Sequence, residues 1–219
     1  MNITRILLID DHPIMRHGLA QLLGTEDGLT ICGEAGSARD GMTAAEKLQP
    51  DLVIIDLTLP DKHGLELLKD LQVQHPGLRC LVLSMHDEDL YAERALRAGA
   101  RGYIMKEAAA DHLVTAVRKI LSGGLYLSEN VASKMIEQLS GVRGKTGATG
   151  IENLTDRELE VLALIGEGVA TKNIADRLSI SARTVEAHRA HIKEKLQCSD
   201  GAALVKYAVQ WVEGKSVSG

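Results

Sequence analysis

Residues 1–122 alternate five times between a short apolar run and a stretch with helical spacing, and this rhythm constrains the fold more than any other feature of the chain. The apolar runs are Ile3–Asp10 (ITRILLID), Thr30–Glu34, Asp51–Asp56 (DLVIID), Leu81–Ser84 (LVLS) and Gly102–Met105 (GYIM). Between and after them lie His12–Leu23, Ser37–Leu48, Gly64–His75, Asp89–Ala98 and Asp111–Ser122. Strands that are apolar throughout are buried on both faces. Strand–helix alternation with such strands predicts an α/β fold, a (βα)5 doubly wound parallel sheet. Ile14, Leu19, Leu22 and Leu23 are expected on the inner face of the first helix, and Leu65, Leu68 and Leu71 on that of the third. Ser37 suits a helix N-cap, and Gly99 a left-handed C-cap.

The rhythm stops at Gly123-Gly124. Residues 123–150 read as a linker carrying a helix at 128–138. Its end, Ser140–Gly150 (SGVRGKTGATG), is Gly-rich and without periodicity. Residues 151–219 read as a second, all-α domain of four helices. Thr155-Asp-Arg-Glu158 has the capping-box pattern. Thr171–Leu178, the turn Ser179-Ile180-Ser181 and Ala182–Leu196 then form helix, short turn, helix, and Asp200–Glu213 is a last amphipathic helix.

Composition excludes several classes. There is no apolar run of about 18 residues, so no membrane span or membrane partner is expected. The N-terminal apolar stretch is too short for a signal peptide. Cys32, Cys80 and Cys198 are scattered and odd in number, which fits a reducing, cytoplasmic setting. They do not combine with the histidines in zinc-ligand spacing. The net charge is −5, with 13 basic and 18 acidic residues in 1–122. Lys172–Lys195 nevertheless holds 6 basic against 3 acidic residues, which permits contact with nucleic acid.

The strand ends carry the chemistry. Asp10 and Asp11 close the first strand and Asp56 the third. With those strands adjacent, three carboxylates meet at one edge and repel, raising one another's pKa. A divalent cation relieves that conflict, and all-oxygen ligands point to Mg²⁺. Ser84 ends the fourth strand and Lys106 follows the fifth. A hydroxyl and an ammonium beside such a cluster trap phosphoryl oxygens, and the Asp56 carboxylate can attack phosphorus. Each of these residues alone reads as a turn former or a surface group; the joint pattern carries the reading.

In the second domain, Val185, Ile192 and Leu196 share one stripe at about 100° per residue, with His188 beside it. The opposite arc holds Arg183, Glu186, Ala187, Ala190 and Lys193. Such a helix, braced by a shorter one, fits the major groove of double-stranded DNA. The small Ala187 and Ala190 permit close approach, and Lys172, Thr184, Lys193 and Lys195 are candidate phosphate contacts.

The segments LLIDDHPIMRHGL, PDLVIIDLTLPDKHGLELL, CLVLSMHDED and RAGARGYIMKEA resemble the motifs of a response-regulator receiver domain across nearly all of 1–122. LTDRELEVLALIGEGVATKNIADRLSISARTVEAHRAHIKEKL resembles the LuxR-type helix-turn-helix of the NarL/FixJ group. The resemblance implies a two-component response regulator and transcription factor, not an enzyme, phosphorylated on Asp56 by a sensor histidine kinase. It implies that Asp11, Asp56 and the Thr58 carbonyl hold Mg²⁺, with Asp10 acting through water. Ser84 and Lys106 then take the hydroxyl and lysine roles, and Tyr103 the aromatic switch. Phosphorylation is expected to turn Tyr103 inward and to favour a homodimer through the surface 89–122, with the last helix often used for dimerisation. RNA polymerase is a further expected partner. Glu107 stands where many receivers have proline after a cis bond, and no cis bond is assumed here. Glu186 is an acid on the DNA face, able to accept from a cytosine amino group or to weaken binding. One rival is a phosphatase working through an aspartyl-phosphate, disfavoured because Thr58 stands where its second acid belongs. Others are a phosphorylation-independent DNA binder with a vestigial receiver, and a protein-interaction module.

Overall fold

The computed structural model describes residues 3–139 and 150–214. The chain divides into two compact units, Met1–Val142 and Arg143–Gly219. The sequence boundary at 122 therefore falls inside the first unit.

In the first unit five parallel strands stand in the order β2-β1-β3-β4-β5. They are β1 (Thr4–Ile9), β2 (Leu29–Ala35), β3 (Leu52–Ile55), β4 (Arg79–Ser84) and β5 (Gly102–Met105). The helices are α1 (Pro13–Gly24), α2 (Ala38–Leu48), α3 (Gly64–Gln74), α4 (Glu88–Arg97) and α5 (Ala109–Leu121), with a 3₁₀ turn at Lys106–Ala108. Successive strand residues point to opposite faces. On one face Ile6, Leu8, Leu52, Ile54, Leu81 and Leu83 pack with Leu19 and Leu23 of α1 and Leu113, Val117 and Ile120 of α5. Alternate residues, Leu7, Ile9, Val53, Ile55 and Val82, are equally buried. Burying one such side chain contributes roughly 1.5–3 kcal/mol, so both faces must be covered.

Ser37 accepts from the Asp40 amide as the N-cap of α2, and Gly99 has φ +107° just past α4. Leu65, Leu68 and Leu71 of α3 are buried. Ile14 departs from its expected inner position and is 90 % exposed. Nine residues before the buried Leu23, at about 100° per residue, it points to the opposite side of α1. The Lys106–Glu107 bond is trans, as are all others among the described residues.

The sequence reading placed a helix at 128–138; α6 runs from Glu129 to Leu139 and packs against α4. The second unit holds α7 (Asp156–Gly166), α8 (Thr171–Arg177), α9 (Ala182–Lys195) and α10 (Gly201–Val212), after a 3₁₀ turn at Ile151–Asn153. Its core is Leu159, Leu162, Ile165, Ile174, Leu178, Val185, Ile192, Leu204 and Ala208. The capping box forms: the Thr155 amide donates to Glu158 Oε2 at 2.8 Å and the Glu158 amide to Thr155 Oγ1 at 3.3 Å. Ser181 and Asp200 cap α9 and α10. Among the described residues no helix is long and apolar enough to cross a membrane.

Candidate functional site

The ends of β1, β3, β4 and β5 bring together Asp10, Asp56, Ser84 and Lys106, all buried. Asp11, half-buried, lies beside them. Ligand atoms of Asp10, Asp11, His12 and Asp56 all fall within 4.8 Å of one another. The Lys106 ammonium sits 2.7 Å from Asp10 Oδ2 and 2.7 Å from Asp56 Oδ2. Burial works against this ammonium, but the two carboxylates outweigh it and hold its pKa above the usual lysine value. Burial pushes the Asp56 carboxyl up to about 6, against the pull of Lys106. The clustered acids are thus partly neutralised from within, by a residue that reaches them only because β5 ends next to β4.

Local geometry orients each group. The Thr58 amide donates to Asp56 Oδ1 at 3.2 Å, turning the loop after β3 back over the carboxylate. Gly64 makes that loop fit: a Cβ there would stand 2.1 Å from the Asp56 carbonyl oxygen. α3 can therefore start directly against the end of β3 only with glycine at this position. Arg16 donates to the Asp10 carbonyl and fixes the β1 end from below.

Three participants escaped the sequence reading. His12 donates its amide to Asp10 Oδ1 at 2.8 Å, and its Nδ1 lies 2.6 Å from Asp11 Oδ1. His86 Nε2 lies 3.1 Å from Thr58 Oγ1, and the His86 amide donates to Ser84 Oγ at 3.2 Å. Tyr91 packs its ring against His86, with centroids 4.8 Å apart. The motif DDH placed His12 next to the acids, so this signal was available; no local pattern links Thr58 to His86. Tyr103, the candidate switch residue, stands at the end of the sheet beside His86. It already points inward, 1 % exposed, and its hydroxyl donates to the His86 carbonyl at 2.8 Å. Burial raises the phenol's pKa above the ordinary tyrosine value.

On the second unit Lys172, Arg183, Thr184, Glu186, Ala187 and Ala190 are exposed and Lys193 is half-exposed. Arg183, Glu186, Ala187 and Ala190 lie on the side of α9 away from the buried Val185 and Ile192. Two of the candidate DNA-facing side chains also make contacts within the unit. Glu186 is engaged within the unit, accepting from Thr171 Oγ1 at 3.0 Å and lying 3.7 Å from Arg189. Lys195, a candidate phosphate contact, instead reaches Glu158 at 2.6 Å. That ion pair ties the end of α9 to the start of α7 and holds the Glu158 carboxyl below its usual value despite burial. Arg157 bonds Glu160 at 2.7 Å and the Leu178 carbonyl at 2.5 Å, tying α7 to the end of α8. The helix pair is therefore held from behind by charged groups the periodicity had assigned no partner. Burial lowers the His188 pKa, consistent with a packed imidazole.

A doubly wound sheet with an acidic pocket and a lysine at its carboxyl edge, followed by a helix-turn-helix unit, defines a phosphorylation-controlled regulator. Family models agree: residues 6–118 match the response regulator receiver domain and residues 152–208 the luxR family of bacterial regulatory proteins. The chain belongs to the response-regulator family with a luxR-type DNA-binding domain. It is 38 % identical over 202 residues to the transcriptional regulatory protein UhpA of Escherichia coli, covering 92 % of this chain and 95 % of UhpA. It is 37 % identical over 194 residues to the nitrate/nitrite response regulator protein NarL of Escherichia coli, covering 88 % of each. Among solved structures, RcsB of Salmonella typhimurium matches at 25 % identity with a TM-score of 0.67, covering 96 % of this chain and 98 % of that one. RcsB of Salmonella enterica bound to the promoter rprA in the presence of the phosphomimetic BeF3⁻ matches at 26 % identity with a TM-score of 0.62, covering 95 % and 99 %. The chain is accordingly a two-component response regulator and DNA-binding transcription regulator.

Proposed function

We propose that Asp56 is the phospho-acceptor and that a sensor histidine kinase is the donor. The observation that carries this is the Lys106 ammonium bridging Asp56 and Asp10 at 2.7 Å each. An Asp56 carboxylate oxygen forms the new O–P bond while the P–N bond to the donor imidazole breaks, and that imidazole leaves with its electron pair and takes a proton. Lys106 stabilises charge on the transferring phosphoryl oxygens, and Ser84 Oγ at the end of β4 is placed to donate to one. The donor set of Asp10, Asp11 and Asp56, with the Thr58 carbonyl, fits Mg²⁺, since hard oxygen ligands suit it. When bound, that ion neutralises charge around the phosphoryl group. His12, bonded to Asp10 and close to Asp11, orients those two carboxylates.

The second unit meets double-stranded DNA. α9 lies in the major groove, with Arg183, Glu186, Ala187 and Ala190 toward the bases, and Lys172, Thr184 and Lys193 on phosphates. Glu186 also holds Thr171 and Arg189, which sets the angle between α8 and α9. Two copies are needed to place two recognition helices one turn of DNA apart, so the phosphorylated regulator acts as a homodimer, with RNA polymerase as its neighbour at a promoter.

Selection of bound sequences from a random DNA pool, with and without acetyl phosphate, tests this reading. Enrichment that depends on the phosphodonor, and is lost with Asp56→Asn, supports it. Equal enrichment by the Asp56→Asn variant would show a DNA binder that ignores its receiver.

A further inference from the structure

The loop from Asp56 to α3 carries the Thr58 carbonyl and is closed at its base. The Gly64 amide donates to the Leu57 carbonyl at 2.7 Å, and Leu57 and Leu59 are buried. Its tip, Pro60-Asp61-Lys62, is exposed or half-exposed. Lys62 pairs back to Asp70 of α3, but Asp61 crosses to α2. Asp61 Oδ1 accepts from the Ala38 amide at 2.8 Å and Oδ2 from the Arg39 amide at 2.9 Å. These are first-turn donors that a helix cannot satisfy by itself, and a carboxylate suits the positive end of the helix. The next amide, that of Asp40, donates to the Ser37 hydroxyl. Partial burial works against the Asp61 charge, yet the Arg39 and Ala38 amides hold its carboxyl below the ordinary value. The helix thus has two caps, one local and one delivered from the loop beside the acidic pocket.

The start of α2 follows directly on the end of β2, where the Ala35 carbonyl accepts from the Asp10 amide at 3.1 Å. A closed path therefore runs from Asp10 through the end of β2 to α2, and through Asp61 into the loop. It returns through Thr58 to Asp56, whose amide donates to the Ile9 carbonyl at 2.8 Å. Asp10, Asp56 and the Thr58 carbonyl all lie on that ring, with Asp11 next to it. The other links in the ring are covalent chain or backbone hydrogen bonds. The Asp61 link depends on a side chain, so a substitution can open it.

We propose that Asp61 is a positioning residue for the divalent-cation site. By closing this ring it fixes how far the Thr58 carbonyl and the Asp56 carboxylate stand from Asp10 and Asp11. Mg²⁺ requires near-octahedral oxygen donors at about 2.0–2.1 Å, so a loop free to drift offers the same oxygens at the wrong spacing. Ser37 caps the same helix without bonding to the loop. The two caps therefore separate a role in helix stability from a role in the site. The inference rests on the Mg²⁺ reading given above.

Titration calorimetry with Mg²⁺ and with Ca²⁺ tests this on the metal-free, full-length chain, comparing the parent with Asp61→Ala, Asp61→Asn and Ser37→Ala. Both alanine variants should melt below the parent, since each removes a cap. Asp61→Ala should weaken Mg²⁺ binding by roughly tenfold, the low end of what losing an outer support costs a metal site. Its Ca²⁺ binding should weaken less, because Ca²⁺ accepts longer and more irregular coordination. Asp61→Asn keeps one acceptor and should fall between Asp61→Ala and the parent. Ser37→Ala should bind Mg²⁺ as the parent does. Mg²⁺ affinity unchanged in Asp61→Ala, or lost equally in Ser37→Ala, would overturn the positioning role. A parent that binds no Mg²⁺ at millimolar concentration would instead overturn the Mg²⁺ reading, and this inference with it.

Discussion

Replacing Asp56 by Asn should stabilise the metal-free receiver at neutral pH. Burial holds the folded Asp56 carboxyl at about 6 against an ordinary value of 3.8, even with Lys106 beside it. At about 1.4 kcal/mol per pH unit, that difference amounts to about 3 kcal/mol. The sign follows from where the proton goes. The folded state binds it more tightly than the unfolded chain, so stability falls as pH rises from about 4 to about 6 and is lowest above that range. The Asp56→Asn variant lacks this group, and Lys106 keeps its 2.7 Å contact with Asp10. With chelator present, its advantage over the parent should be near zero below pH 4 and reach about 3 kcal/mol above pH 6. In a unit of this size that is a Tm difference of about 10 °C. Calorimetry of the full chain across pH 4–7.5 measures it. Millimolar Mg²⁺ should raise the parent's Tm more than the variant's, since ligand binding to the folded state alone stabilises it. Parallel pH profiles for the two proteins, or a parent that gains stability from pH 4 to 6, would refute the argument that burial dominates at Asp56.

Three other outcomes follow from packing and charge. Gly64→Ala puts a Cβ 2.1 Å from the Asp56 backbone oxygen, so it should cost about 3 kcal/mol or more and lower acetyl-phosphate labelling of Asp56. Urea melts and label incorporation report the two effects. Glu158→Gln removes the charge that pairs with Lys195 and should destabilise the second unit by about 1–3 kcal/mol. Because the folded Glu158 carboxyl lies below its ordinary value, the parent's advantage should be present above the ordinary carboxylate range and fade as pH falls through the folded value, which the fluorescence of Trp211 can follow. Lys193→Ala should weaken binding to all duplexes alike and reduce the slope of log affinity against log salt by about 1, as measured by anisotropy at several salt concentrations.

The class of fold and the location of the site were legible because both depend on patterns within one segment. Runs such as LVII and LVLS can only be strands covered on both faces, and a doubly wound sheet sends their ends to one edge. Asp10, Asp56, Ser84 and Lys106 follow from that rule, as does the capping box at Thr155 and Glu158. What the tertiary structure alone decided is which side chain each group faces. Lys195 reads as a phosphate contact until α7 brings Glu158 within 2.6 Å. His86, Tyr103 and Tyr126 form a chain from the pocket to the sheet edge through partners 17–28 residues apart or across a strand boundary. The docking of α6 on α4 depends on single contacts such as Lys134 to Asp89, 45 residues apart. Periodicity records whether a side chain is apolar or polar; the identity of its partner depends on distances that exist only once the chain has closed on itself.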